Sequence, residues 1–320
     1  MTETGATDTT NALASLSHAI EEVAAKVSQS VVGINSKNKG NGSGVVWNTD
    51  GHIVTCSHLV RGVDEVDVSF SNGKSFPARI VGNDPYSDIA LLKIQLSDND
   101  TAFLKPIVTG NSESLKTGQF VLAFANPSGE YPSITEGVIT SQRSSIRGGG
   151  WRWASTMDNI VITDTSLNPG YSGGPLVDAE GKMIGINAAY VWSRGIAVRG
   201  SKVNSIADQL AKYGAIKSAY LGIIMDIISL PPEISAQLEP YQEEGLMILS
   251  VVRHTAAKKA GLLIGDIIVK FDNKPLTNIH DLRRQLLKQD IIGKSVKLAI
   301  IRGGKKIELA ITPEEAARSG

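Results

Sequence analysis

A histidine, an aspartate and a serine, met in that order along the chain, are side chains that together could cleave an acyl bond. His58 stands in "HIVTCSHLV", where an apolar strand-like run ends and a turn begins, a place that presents an imidazole to a cleft. Asp88 stands in "DPYSDIALLKI", just before an apolar run. A carboxylate is costly to bury there unless a donor such as a histidine N–H satisfies it. Ser172 stands among glycines in "NPGYSGGPLV". A serine hydroxyl is a weak nucleophile until an imidazole takes its proton, and a carboxylate fixes the tautomer of that imidazole. The separations of 30 and 84 residues are compatible with one group from each of three separate loops. Each residue alone also has a plain structural reading: a surface histidine at a strand end, a turn aspartate (as Asp84 is read in Asp-Pro), a loop serine.

Two serine-hydrolase settings compete for "GYSGG". The G-x-S-x-G nucleophile elbow requires a strand, a helix after the serine, and an acid and a histidine later in the chain. Here Ser172 is followed by Gly173, Gly174 and Pro175, a short strand, a turn at "DAEGK" and another strand, and the later histidines, His254 and His280, fall in the C-terminal region. The order His, Asp, Ser is instead that of the chymotrypsin-like hydrolases.

The elements that must position these groups follow from periodicity. Leu13, Leu16, Ile20, Val23, Ala24 and Val27 recur at helical spacing after a Thr-rich stretch, residues 1–10, expected to be a disordered tail. From Val31 to about Gly200 short β-branched runs alternate with turns, as in a sandwich or barrel rather than a βαβ sheet. A polar helix, "VNSIADQLAKYG", leads to a third region of about 95 residues that mixes strands with two helical patterns, a small α+β module. With 320 residues, two domains are expected.

Composition excludes several classes. Thirty-two basic and 32 acidic residues cancel, so no net field draws nucleic acid or an anionic membrane. A single cysteine, Cys56, rules out an internal disulfide framework, and neither a cysteine-based zinc site nor any cofactor is expected. Neither a secretory leader nor a run of membrane-spanning length is seen, so the cytoplasm is expected, with a periplasmic or extracytoplasmic setting as the alternative if a leader was removed.

The stretches "SGVVWNTDGHIVTCSHLV", "DPYSDIALLKI", "GQFVLAFANPSG", "ITEGVITS", "TDTSLNPGYSGGPLVDAEGKMIGIN" and "YLGI…AAKKAGLLIGDIIVKFDNKPL" resemble the HtrA/Deg serine proteases over residues 11–313. The resemblance implies a mainly β chain: a chymotrypsin-like double β-barrel protease domain with its N-terminal helix at 11–215, then an α+β PDZ domain at 219–313. It makes Ser172 the nucleophile, His58 the general base and then acid, and Asp88 its orienting carboxylate. Gly170 and Ser172 become the oxyanion-hole donors, Leu167 the S1 lining for small or medium aliphatic residues, and Asn187, Ala188 and Ala189 the strand that holds substrate. In the PDZ domain it implies that Tyr220, Leu221, Gly222 and Ile223 form the carboxylate-binding loop, with Leu282 and Leu286 across the groove. The implied activity is ATP-independent endoproteolysis of unfolded or damaged proteins, with peptide C-termini bound at the PDZ domain and a homo-oligomer, a trimer foremost. No P-loop motif occurs in the chain.

Departures from the family pattern mark questions. Tyr171 replaces a usual Asn and raises a rival reading, a catalytically weak chaperone-like or scaffolding binder. Cys56 and Ser57 replace common Asn residues, Cys56 being read as a buried strand-end thiol, and Arg199 stands where proline is common. The first aromatic residue is Trp47, so a trimer must form without the family's N-terminal aromatic residues. The Gly-rich segment 141–158, with Gly148–Gly150 beside Trp151 and Trp153, is expected to be the activation loop.

Overall fold

The computed structural model describes residues 6–36, 40–96, 101–145, 158–216, 218–287 and 289–315. The chain divides into two compact units, Met1–Ile216 and Lys217–Gly320.

In the first unit α1 runs from Ala6 to Ser28. Residues 6–10, expected to belong to a disordered tail, are therefore helical, because extending a formed helix is far easier than nucleating one. Only the C-terminal half of α1 docks: Val27 is buried and Ile20, Val23 and Ala24 pack on the core. Leu13 and Leu16 are 70% and 52% exposed.

Six strands close a first barrel: β1 (Val31–Ser36), β2 (Gly40–Val46), β3 (His52–Cys56), β4 (Glu65–Ser69), β5 (Ser75–Asp84) and β6 (Ile89–Ile94). Six more close a second: β7 (Phe120–Ala125), β8 (Ser133–Ser145), β9 (Asp158–Thr163), β10 (Pro175–Asp178), β11 (Met183–Val191) and β12 (Arg194–Arg199). The first follows the order β1-β2-β3-β6-β5-β4, and the second repeats that order in β7-β8-β9-β12-β11-β10. The short apolar runs thus resolve as two closed barrels.

Helix α3 (Gly200–Tyr213) buries Val203, Ile206, Ala207 and Leu210, one face at helical spacing. Gly214 ends it in the left-handed conformation at φ +70°, its N–H donating to Leu210 O at 2.8 Å. Arg199 precedes α3, and its buried guanidinium donates to Ser112 O and, at 2.9 Å, to Gln142 Oε1. That pairing satisfies a cation in a place where proline would leave both acceptors without it.

The second unit carries β13 (Ala219–Tyr220), β14 (Ile223–Ser229), β15 (Glu244–Val251), β16 (Ile267–Phe271), β17 (Lys274–Pro275), β18 (Val296–Arg302), β19 (Lys305–Ile311) and β20 (Glu314–Glu315). The main sheet runs β14-β15-β16-β18-β19, so β14 is an edge strand, and β13 pairs with β20. Helices α4 (Pro232–Ser235), α5 (Ala256–Lys259) and α6 (Ile279–Leu286) complete the unit. The Asn278 side chain caps α6 by accepting from Asp281 N at 3.0 Å.

Candidate active site

Strand β3 ends at Cys56 and passes into a single helical turn, α2 (Ser57–Val60), which lifts His58 out of the barrel. Three hydrogen bonds tie this turn to Asp88. Ser57 N donates to Asp88 O at 3.0 Å, His58 N to Asp88 Oδ1 at 2.9 Å, and His58 Nδ1 lies 2.6 Å from Asp88 Oδ2. Asp88 is 4% exposed and holds φ +56°, a left-handed conformation that aspartate tolerates better than most residues. Asp84 serves the preceding turn, accepting from Tyr86 N, Ser87 N and the Ser87 hydroxyl, as its Asp-Pro context suggested.

The glycines around Ser172 answer to space rather than to flexibility. A Cβ on Gly173, at φ +86°, would overlap the Ser43 carbonyl and the Thr55 hydroxyl, and one on Gly174 would overlap Phe124 O. The turn is closed by Tyr171 N to Asn168 O at 3.1 Å and Gly174 N to Tyr171 O at 3.0 Å. Among the described residues neither the Gly170 nor the Ser172 amide donates a hydrogen bond, which leaves two donors within one turn for an oxyanion.

Ser43, in the first barrel, is the residue that sequence reasoning missed. Its N–H donates to Ser172 O at 2.8 Å, its hydroxyl to Gly170 O at 2.7 Å, and the same hydroxyl accepts from Asn126 N at 2.7 Å. One fully buried serine therefore clamps the nucleophile loop of the second barrel to the first. Within "NGSGVV" it looked like any small strand residue, and no periodicity separates it from its neighbours.

His58, Asp88 and Ser172 face one cleft of about 330 Å³ whose other walls include Arg61, Tyr86, Ala188, Ala189 and Tyr190. The Ser172 hydroxyl points toward Ala188 O at 3.4 Å. Ala188 lies at a register shift between β11 and β12. Strand β10 pairs with β11 only as far as Ile186, so the end of β11 that passes the cleft has one edge open.

Two expected assignments, Asn187 and Leu282, are corrected. Asn187 cannot hold substrate: its N–H donates to Gly174 O at 2.9 Å, its C=O accepts from Gly173 N at 2.8 Å, and its side-chain amide donates to Phe124 O and Pro175 O. The two backbone bonds hold the nucleophile loop, and the side chain ties β11 to β7 and to the start of β10. Leu167 packs in the second-barrel core with Leu115, Val121, Ile139 and Tyr171. Leu282 is fully buried in the core of the second unit, whereas Leu286 packs at that core's margin.

Two departures also find their places. Tyr171 is 4% exposed, with burial pushing its phenol pKa up, so the ring is turned into the core rather than toward substrate. The case for a silenced binder rested on that ring. Cys56 is fully buried, and its Sγ donates to Asn187 O at 3.3 Å. Burial, then the charge and hydrogen bond of Asp88, hold the thiol well above its ordinary pKa, so it stays protonated and is no nucleophile.

In the second unit Gly222 has φ +82° and abuts Thr255 so closely that a Cβ would overlap it. The Leu221 and Gly222 carbonyls accept from Ala257 N and Val252 N, both at 2.8 Å, while among the described residues their amides donate to nothing. Tyr220 is exposed beside this loop, and Ile223 opens edge strand β14, which carries exposed Ile224 and Ile227. The segment from Gly148 to Trp153, expected to be the activation loop, lies outside the described residues.

Two closed barrels with a His-Asp-Ser cleft define the trypsin-like peptidase class, here followed by a small α+β unit. Residues 42–186 match the family of trypsin-like peptidase domains, and residues 220–312 match the PDZ domain family. The chain is 31% identical over 286 residues to the periplasmic serine endoprotease DegP of Escherichia coli, covering 87% of this chain and 58% of that one. It is 34% identical over 294 residues to the chloroplastic protease Do-like 1 of Arabidopsis thaliana, covering 86% and 64%. Among solved structures, the HtrA-type protease AlgW with a decapeptide superposes with a TM-score of 0.72 at 25% identity, covering 93% of this chain and 98% of that one. The chain belongs to the HtrA/Deg family of serine proteases. It spans about three fifths of the length of the curated relatives it matches.

Proposed function

We propose that this chain is an ATP-independent serine endopeptidase that cleaves unfolded or damaged polypeptides, with its PDZ domain reading peptide C-termini. The observation that carries the reading is the 2.6 Å contact of His58 Nδ1 with Asp88 Oδ2, on the cleft that also exposes Ser172. Asp88 fixes the proton on Nδ1, which leaves Nε2 to take the Ser172 proton as Oγ attacks the scissile carbonyl. The Gly170 and Ser172 amides then receive the negative oxygen of the tetrahedral intermediate. His58 returns the proton to the leaving amine, and water repeats the sequence to free the enzyme.

Substrate backbone adds to the open edge of β11 at Ala188 and Ala189, a mode that favours extended, hence unfolded, chains. Leu167 as the S1 lining, with the small side chains of these two alanines, supports a preference for small or medium aliphatic residues. A C-terminal carboxylate takes the free amides of Leu221 and Gly222, and the peptide pairs with β14 while Leu286 borders the groove.

The exposed Leu13 and Leu16 stripe of α1 supports a homo-oligomer, and a trimer is the proposed state. Among the described residues no helix is long and apolar enough to cross a membrane. The cytoplasmic setting expected from the N-terminus finds no support among the relatives, and a periplasmic one is proposed in its place.

Labelling by a fluorophosphonate tests the chemistry directly. The intact chain is expected to react at Ser172, and Ser172→Ala and His58→Ala variants are not. Equal labelling of all three chains would refute the assignment.

A further inference from the structure

Cys56, His58 and Asp88 each offer a donor atom, and these atoms all lie within 4.8 Å of one another. Zinc bound to sulfur at about 2.3 Å and to nitrogen or oxygen at about 2.0–2.2 Å needs tetrahedral donors roughly 3.3–3.8 Å apart, so His58 Nδ1 and Asp88 Oδ2, now at 2.6 Å, would have to part to admit it. We propose that the cluster is an inhibitory binding site for zinc or a similar thiophilic divalent cation, built from one cysteine, one histidine and one carboxylate. A zinc site made of cysteines alone was not expected from a single cysteine, and this one needs only one.

The charges close. A thiolate and a carboxylate balance a divalent cation around a neutral imidazole, so a buried place accepts the ion without net charge. His58 Nδ1 is the ring nitrogen beside Asp88, and therefore the one that meets the metal. On binding, the thiol proton now donated to Asn187 O leaves to solvent, and the imidazole proton moves from Nδ1 to Nε2. Nε2 can then no longer accept the Ser172 proton, so the metal holds the base in the inactive tautomer. One hydrogen bond already orients the carboxylate, His58 N to Asp88 Oδ1, while Ser57 N holds the Asp88 backbone through its carbonyl oxygen. The ion enters from the cleft, past the His58 side chain, which is 38% exposed.

The binding claim stands without catalysis, while the inhibitory consequence rests on the protease reading; the test separates them. Cobalt(II) is titrated into Ser172→Ala protein. Cys56 is the chain's sole cysteine, so any sulfur-to-cobalt charge-transfer absorption must come from it. The account expects that band at one metal per chain, its displacement by zinc, and its absence when Cys56→Ala is added. In the second arm, micromolar zinc slows fluorophosphonate labelling of the intact chain by about tenfold or more, reversibly with a chelator. The Cys56→Ala chain changes far less relative to its own metal-free rate. No band, or zinc inhibition undiminished by Cys56→Ala, overturns the proposal. Should Cys56→Ala not fold, the band on Ser172→Ala protein decides alone. A band without any labelling would uphold the metal site while sinking the protease reading.

Discussion

Asp88 holds His58 by both its carboxylate oxygens, Oδ2 at 2.6 Å from the ring Nδ1 and Oδ1 at 2.9 Å from the backbone N–H. An asparagine keeps the left-handed backbone at φ +56° but can present its amide N–H to the ring and so select the wrong tautomer. Asp88→Asn is expected to lower kcat by about 10⁴-fold with little change in KM. Steady-state kinetics on a peptide substrate, with circular dichroism to confirm the fold, checks this.

Ser43→Ala removes the hydroxyl that joins Gly170 O to Asn126 N across the barrels. The buried Asn126 N–H and the half-buried Gly170 carbonyl lose their partner, at about 1–3 kcal/mol of stability. With Gly170 proposed as an oxyanion donor, kcat should fall by about a hundredfold while fluorophosphonate labelling slows in proportion. A loss of stability without loss of rate would reduce Ser43 to a packing role. Ser43→Thr, which retains a hydroxyl, serves as the rescue.

How much of this was legible beforehand differs by residue. The triad was readable because each member carries a local context: His58 after an apolar strand, Asp88 before one, Ser172 among glycines whose Cβ positions are occupied by Ser43, Thr55 and Phe124. The barrels were readable as many short strands, but not their shared strand order, since pairing joins residues far apart in the chain. Asn187 and Leu282 are not where their expected roles need them, for one physical reason. Sequence shows that a residue lies near a site but not whether its polar groups are already taken or its side chain already buried. Ser43 was missed for the converse reason, because its partners lie 83 and 127 residues away.

The free amides of Leu221 and Gly222 predict that the second unit reads a charged terminus. In the whole chain, a peptide ending in a free carboxylate should shift the Leu221, Gly222 and β14 amide resonances. The same peptide with an amidated end should shift them far less. Equal shifts from both peptides would place recognition in side chains instead.

Asp266 is 1% exposed and meets Arg302 through two 2.7 Å bonds, with Leu263 N donating to Oδ2 at 2.8 Å. Burial raises its pKa, but the Arg302 hydrogen bond, the Leu263 N–H and the Arg302 charge outweigh this and leave it lowered. A lowered folded pKa means stability that is full above the ordinary aspartate value of about 4 and is lost as pH falls through the folded one. The urea midpoint, followed through β16 amide signals in the whole chain, should therefore drop below about pH 4. In Asp266→Asn it should be lower at neutral pH and should lack that part of the slope.

The central claim is that Ser172, activated by His58 and Asp88, cuts unfolded polypeptides. Purified chain and its Ser172→Ala variant are incubated with unfolded casein, with and without a carboxylate-ended peptide, and the products are followed by mass spectrometry. The account predicts ATP-independent fragments from the intact chain and none from the variant. Casein left whole by both chains under every condition, or cut equally by both, would contradict it.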